Sequence, residues 1–108
     1  DEELFRTALL LKESYKKGRV SEGVIGTADS WNCQVDRVLF LHDFYGTAVE
    51  EMEGDAVAQI CRTYDVPFLA MRVISNTVFA GDVDWDLAVG AALQEYVLAV
   101  AEAYMKKR

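Results

Sequence analysis

The chain has 108 residues, 52% of them hydrophobic, and it carries a formal net charge of −7 at pH 7. A single Pro and the absence of low-complexity tracts predict one folded unit over residues 1–108. The negative charge argues against nucleic acid and against an anionic membrane surface as partners, because both attract clustered Lys and Arg.

The sequence also argues against a membrane-spanning protein, a disulfide scaffold and a metal site. No apolar run approaches the roughly 18 residues that would span a bilayer, so we expect a soluble protein without a membrane partner. Cys33 and Cys61 are too few for a disulfide scaffold and lie outside C-x-x-C spacing, which favours a reducing, cytoplasmic location. We expect no metal site from these cysteines and His42, and no cofactor.

The first predicted element is a helix whose apolar positions Leu4, Ala8, Leu11 and Tyr15 recur at helical spacing. Acidic residues begin it, and the sequence KKG at 16–18 ends it with two cations and a glycine. A strand is predicted to follow over residues 20–28. Its two internal glycines indicate a bulge or a close backbone approach, and it leads into the loop ADSWN.

A second helix is predicted from Val35, Val38, Leu39 and His42, which share one face, with Gly46 as its C-terminal cap. A brief strand over residues 47–52 leads into a third helix. Residues 56, 57, 60, 61 and 64 form the apolar stripe of that helix.

The run PFLAMRVIS, residues 67–75, is almost continuously apolar and predicts a strand buried on both faces of a parallel sheet. A long helix closes the chain, with Asp82 or Asp84 as its N-cap and three basic residues at its end. Helices that alternate with strands predict an α/β fold with a largely parallel sheet.

Ligands of such sheets bind beyond the carboxyl ends of the strands. The segments predicted to lie there are DSWN at 29–32, EME at 51–53 and SN at 75–76. We therefore expect a candidate site where these three segments meet.

The acidic run VEEMEGD, residues 49–55, has both an electrostatic and a functional interpretation. Asp55 and Glu53 fit the first turn of a helix, where acidic residues complement the helix dipole, and Glu50 fits a solvated surface charge. Glu51 falls on the preceding strand, so we expect its carboxylate to face the ligand crevice rather than the helix. In an extended chain Glu51 and Glu53 point to the same side, with Met52 between them, which suits a polyol; too few oxygen ligands are present to favour a hard cation.

Trp31 leaves two interpretations equally open. Tryptophans in α/β loops commonly pack against a neighbouring helix, whereas a position after a strand among polar residues suits a stacking wall for a planar base.

Several ordered motifs resemble one family. The segment VEEMEGDAVAQICRTYDVPFLAMRVIS is similar to the C-terminal half of methylthioadenosine/S-adenosylhomocysteine nucleosidases, in the nucleoside phosphorylase superfamily, and GVIGTADSW is similar to an earlier segment of that half. The resemblance implies a three-layer α/β/α fold with a mixed, largely parallel sheet, of which residues 1–108 are the C-terminal half of a single domain. It also implies a purine nucleoside or adenine as ligand, the N-terminal half as a separate fragment or chain, and a homo-oligomer.

The resemblance further implies roles for individual residues. Met52 and Glu53 would contact the ribose, and Glu51 would order that site close to the attacking water. Trp31 would stack on the purine and the backbone of Asn32 would bind its edge. For Trp85, the implied role is to line the pocket of the sugar's 5′-substituent.

The main departure from the family follows Ser75. Asn76 stands where the family has the Asp that protonates the leaving purine, and these two residues are the candidate catalytic positions together with Glu51. An amide donates hydrogen bonds but cannot deliver a proton. Three explanations remain open: impaired hydrolysis with binding intact, a preference for 6-oxopurines as in purine nucleoside phosphorylases, and a non-catalytic nucleoside-binding or storage protein.

Overall fold

The structure, a computed structural model, describes residues 1–79, 81–82 and 87–108. In chain order it contains α1 (Glu2–Leu10), a 3-10 turn (Lys12–Ser14), β1 (Val24–Thr27), α2 (Val35–Tyr45), β2 (Thr47–Glu51), α3 (Gly54–Thr63), β3 (Asn76–Thr77), β4 (Gly81–Asp82) and α4 (Leu87–Lys106). Helices interspersed with parallel strands confirm the α/β class, whereas the three-layer arrangement stays a prediction. No helix within the described ranges is long and apolar enough to cross a membrane.

The chain divides into two compact units, each described below by itself. The first contains residues 1–21, 67–73 and 84–108, and the second contains residues 22–66 and 74–83.

The first unit is built on the packing of α1 against α4. Ala8, Tyr96 and Val100 are buried at its centre. Partly buried apolar side chains surround them, namely Leu4, Leu11, Tyr15, Val20, Leu69 and Met71. The Tyr96 hydroxyl donates to the Ala8 carbonyl at 2.6 Å, so the one polar atom of that side chain is satisfied inside the cluster.

Helix α1 begins as predicted and ends earlier than predicted. The Asp1 carboxylate caps it by accepting from the Leu4 amide at 2.8 Å. The helix stops at Leu10 and tightens into the 3-10 turn, so the expected stop near Gly18 is wrong. Beyond that turn the Tyr15 ring lies against the Tyr96 ring, with their centroids 6.1 Å apart. Tyr15, the last residue of the predicted apolar stripe, therefore still packs on the core.

The predicted strand over residues 67–75 is wrong, because this segment forms neither helix nor strand. Leu69 and Met71 pack against the helical core instead, and the amino group of Asp1 donates to the Phe68 carbonyl at 2.5 Å. An apolar run fits a buried strand and an irregular segment packed against helices equally well. Only a hydrogen-bonded neighbouring strand distinguishes them, and the sequence does not reveal one.

The second unit contains the parallel pair β1–β2, joined through α2, which packs against β2. The register is interrupted between Val24 and Ile25, which confirms the predicted irregularity in this strand. The strand itself is shorter than the predicted residues 20–28. Helix α3 follows β2 and packs against β1, so both strand ends meet the start of a helix.

Helix α2 ends where the sequence predicts. Gly46 adopts φ 71° and its amide donates to the His42 carbonyl at 2.9 Å, the geometry of a left-handed C-terminal cap. Phe40 and Phe44 stack on each other at 5.5 Å with their rings exposed. Val35 and Leu39, on the predicted apolar face, are exposed as well, so this helix faces solvent more than the helical spacing predicts.

The second unit also contains the short antiparallel pair β3–β4, which the sequence did not predict. Asn76 pairs with Asp82, and Thr77 with Gly81. Of the two candidate caps of α4, Asp82 lies in β4, and Asp84 lies outside the described residues.

Candidate functional site

The candidate site is built on the carboxyl ends of β1 and β2. Thr27 and Glu51 are the last residues of these strands and lie opposite each other in the parallel register. Pairing continues one step further, since the Ala28 amide donates to the Glu51 carbonyl at 3.0 Å. The two side chains therefore leave the sheet on the same face, at the edge where α/β folds bind ligands.

The Glu51 carboxylate is held by groups from three directions. It accepts from the Thr27 hydroxyl at 2.5 Å, from the Glu53 amide at 2.7 Å, and from the Gly54 amide at 2.9 and 2.7 Å to its two oxygens. Glu53 is the N-cap residue of α3, and Gly54 is the first residue of that helix. Glu51 thus caps the helix, so the expectation that its carboxylate does not serve the helix is wrong, because the chain turns back immediately after β2. That the carboxylate faces the ligand crevice stays a prediction.

Gly54 permits this close approach. A Cβ built on Gly54 would lie 2.5 Å from one Glu51 oxygen and 3.1 Å from the carboxyl carbon. Any larger residue would push the carboxylate away from the amides that it accepts from. Glycine is therefore required here by the position of Glu51.

Met52 and Glu53 form an exposed turn between the strand and the helix. Strand β2 ends at Glu51, and Glu53 has φ −127° and ψ −21°, so the chain is not extended through this segment. The expectation that Glu51 and Glu53 point to one side of an extended chain is therefore wrong. The Glu53 carboxylate accepts from the Met52 amide at 3.0 Å and remains exposed to solvent, where it can also accept hydroxyl hydrogen bonds.

Asp55 lies in the first turn of α3, as the electrostatic interpretation predicts. Its amide donates to the Thr27 hydroxyl at 3.1 Å. Its carboxylate accepts from the Gln59 side chain one turn later, at 2.6 Å. Asp55 therefore takes part in the structure of the turn while its side chain faces along the helix.

The loop after β1 carries Trp31 and is fastened to β2 by its neighbour. The side-chain nitrogen of Asn32 donates to both carboxylate oxygens of Glu50, at 3.1 and 3.2 Å. The side-chain oxygen of Asn32 accepts from the backbone amide of Gln34 at 3.3 Å. Glu50 is half-buried, so its assignment as a solvated surface charge is wrong. Trp31 exposes 68% of its surface, which agrees with a free ring face and not with packing under a helix.

Ser75 and Asn76 lie in the same compact unit as these residues. Asn76 is half-buried at the start of β3, and the Ser75 hydroxyl donates to its side-chain oxygen at 3.0 Å. The convergence of Asn76 with Glu51, Glu53 and Trp31 on one pocket stays a prediction. Trp85 lies outside the described residues.

Thr27 and Glu50 are the residues that sequence reasoning missed. A signal for Thr27 was present, since it is the hydroxyl residue that ends the strand aligned with Glu51 in the neighbouring strand. Within the described parts of the chain, no group of three or more His, Cys, Asp or Glu side chains could hold a metal ion.

The chain is similar to known proteins over nearly its whole length. Residues 3–106 match the phosphorylase superfamily. No solved structure matches the chain.

Three curated relatives illustrate the similarity, and each is named a 5′-methylthioadenosine/S-adenosylhomocysteine nucleosidase. The protein of Mycobacterium bovis is 40% identical over 77 residues, 69% of this chain and 30% of its own length. That of Shewanella loihica is 43% identical over 56 residues, 51% of this chain and 24% of its own length. That of Bacillus thuringiensis is 36% identical over 77 residues, 70% of this chain and 33% of its own length. The chain thus spans about a third or less of each of these relatives.

Proposed function

Because the chain belongs to the phosphorylase superfamily, we propose that it forms the ribose and base side of a site for purine nucleosides, in a nucleosidase that hydrolyses methylthioadenosine or adenosylhomocysteine. The observation that carries this proposal is the exposed Met52–Glu53 turn held at the carboxyl edge of a parallel strand pair. The relatives' names support hydrolysis over the other two explanations of Asn76.

Each site residue takes a role that its chemistry allows. The exposed Glu53 carboxylate accepts hydrogen bonds from the ribose hydroxyls, and Met52 gives a polarizable contact to the sugar. Trp31 stacks on the purine, and the backbone of Asn32 binds the purine edge while its side chain is occupied by Glu50. Trp85 is assigned to the 5′-substituent from the resemblance alone.

Hydrolysis breaks the bond between C1′ of the ribose and N9 of the purine. The bonding electron pair leaves with the purine, water adds to C1′ and loses a proton, and the purine takes up a proton. Asn76 holds a ring nitrogen through a hydrogen bond but supplies no proton, and a positioned general acid typically accelerates a reaction by about 10²–10⁴-fold. We therefore assign slow hydrolysis with retained binding to the site with Asn76.

The architecture of the whole protein belongs to the same proposal. Residues 1–108 would form the C-terminal half of one three-layer α/β/α domain, completed by an N-terminal half and assembled as a homo-oligomer. The support for this is the family resemblance together with the parallel β1–β2 pair.

The test is adenine release from methylthioadenosine by the protein that carries this chain, with and without Asn76→Asp. Restoring a carboxylic acid is expected to raise the rate by about 10²–10⁴-fold, without a requirement for phosphate. Gln94→Glu, on an exposed position of α4, adds the same charge and is expected to leave the rate unchanged.

Two results would contradict the proposal. If both proteins stay at background while methylthioadenosine binds in calorimetry, the chain belongs to a nucleoside-binding protein. If the rate rises in proportion to phosphate, the reaction is phosphorolysis.

A further inference from the structure

We infer that Thr27 is a positioning residue for the ribose-contacting turn, and that it acts through Glu51. This inference rests on the proposed function, because it concerns how the Met52–Glu53 turn is held for its ligand. The residues that carry it all lie in the second compact unit.

The Thr27 hydroxyl joins the strand pair to the start of α3. It donates its proton to the Glu51 carboxylate at 2.5 Å and accepts from the Asp55 amide at 3.1 Å. The Thr27 hydroxyl therefore donates to a residue of β2 and accepts from a residue of α3 at the same time. A methyl group in its place could make neither bond.

Glu51 connects Thr27 to the backbone of the turn. Its carboxylate accepts from the amides of Glu53 and Gly54. With the Thr27 bond to Asp55, three successive backbone amides are held from the strand side. The backbone between Glu51 and Asp55 is thereby fixed, while the side chains of Met52 and Glu53 stay exposed to a ligand.

Threonine suits this position for a second reason. Its β-branched side chain has few rotamers and favours a strand, so the hydroxyl is directed toward Glu51 before any ligand arrives. The parallel register, which places Thr27 directly opposite Glu51, supplies the alignment. The turn is therefore organised in advance, which lowers the ordering cost of binding.

The experiment compares Thr27→Val with Thr27→Ser in the protein that carries this chain. Calorimetry measures the dissociation constants of methylthioadenosine and of adenine, which lacks the ribose. Thr27→Val is expected to weaken methylthioadenosine binding by roughly tenfold and to leave adenine binding within about twofold. Thr27→Ser keeps the hydroxyl and is expected to restore methylthioadenosine binding.

Thr63→Val is the matched control. It removes a hydroxyl from the far end of α3, where Thr63 donates to the Gln59 carbonyl at 2.9 Å. We expect both dissociation constants to stay at their wild-type values. Thr27→Ala is the second variant, because it removes the hydroxyl without adding bulk should Thr27→Val fail to fold.

Amide hydrogen exchange provides a readout that needs no ligand. The amides of Glu53, Gly54 and Asp55 are expected to exchange faster in Thr27→Val than in the wild type or in Thr27→Ser, while the Ala28 amide keeps its rate. Equal exchange in all proteins would overturn the inference, as would an equal loss of affinity for adenine and methylthioadenosine. If the wild type binds neither compound, the proposed function fails, and the exchange rates alone decide the role of Thr27.

Discussion

Trp31 has an exposed ring, and its neighbour Asn32 fastens the loop that carries it. Its neighbour Asn32 is bonded through its side chain to Glu50 on β2 and to the amide of Gln34. The loop is thus held at two points on one side of the tryptophan while 68% of the Trp31 surface stays open. A large aromatic surface on a restrained loop is suited to stacking, because little conformational entropy is lost when a planar ligand binds.

This arrangement gives a prediction for Trp31→Ala. We expect adenine binding to weaken by about 1–3 kcal/mol, the range found for base–aromatic stacking, and the free energy of unfolding to change by less than about 0.5 kcal/mol. Trp31→Phe keeps an aromatic face and should retain most of the affinity. Calorimetry with adenine and urea unfolding check the two effects, and an unchanged affinity in Trp31→Ala would exclude the stacking role.

Glu50 and Glu51 show that adjacent carboxylates of one acidic run have separate functions. Glu50 accepts from the Asn32 side chain, whereas Glu51 accepts from the backbone amides of Glu53 and Gly54 at the start of α3. Successive residues of a strand point to opposite faces of the sheet, so the two charges are separated by the sheet itself. Both are bonded to donors, which offsets the mutual repulsion of a cluster of negative charge.

At the scale of elements, helix α2 depends on its glycine cap. Gly46 has φ 71°, and a Cβ built there would have nothing within 4 Å, so backbone strain is the main cost of substitution. We expect Gly46→Ala to lower the free energy of unfolding by about 1 kcal/mol, and Gly46→Asn to lower it less, because Asn tolerates the left-handed region. Urea unfolding measures both. An Ala variant as stable as the wild type would contradict the role of the cap.

The packing of α1 on α4 gives a pH prediction through Tyr96. Burial disfavours the phenolate and raises the pKa of Tyr96 above its ordinary value of 10.0. The contribution of the neutral phenol is fully present below about pH 10, and it is lost as the pH rises through the folded-state pKa. The wild type is expected to exceed Tyr96→Phe in stability by about 0.5–1.5 kcal/mol near neutral pH, through the hydrogen bond to Ala8.

Urea unfolding at several pH values checks this prediction. The difference between the wild type and Tyr96→Phe should shrink above about pH 10. Tyr45→Phe removes a phenol from an exposed position and should follow the wild type throughout. A constant difference between the wild type and Tyr96→Phe across the alkaline range would contradict the effect of burial.

At the scale of the whole molecule, the sequence predicts an element well where a residue at its boundary, such as a capping glycine, marks its end. Gly46 ends α2, as the sequence predicts, and the strands that flank α2 are parallel. The prediction of a strand over residues 67–75 is wrong because an apolar run does not show whether a hydrogen-bonding neighbour is present. The family was recognised from its motifs and is confirmed by the match over residues 3–106.

For the candidate site, the sequence indicates which residues lie near one another better than it indicates where their side chains point. The sequence correctly predicts Glu51 at the end of β2, but the direction of its carboxylate depends on how the chain turns after the strand. The sequence does not show the burial of Glu50, because its partner Asn32 is distant in sequence and becomes adjacent only through the parallel pairing. Such contacts depend on tertiary structure and leave no periodic signal in the sequence.

The cap of α3 also determines where this sequence can change in length. Glu51 reaches its amides because two residues separate it from Gly54, and one inserted residue in that interval would carry the first turn of the helix beyond the carboxylate. The exposed segment around Gly18 has no such constraint, so insertions or a fused peptide can be accommodated there. Of these two segments, the turn between Glu51 and Gly54 is the one whose length we expect natural selection to keep constant.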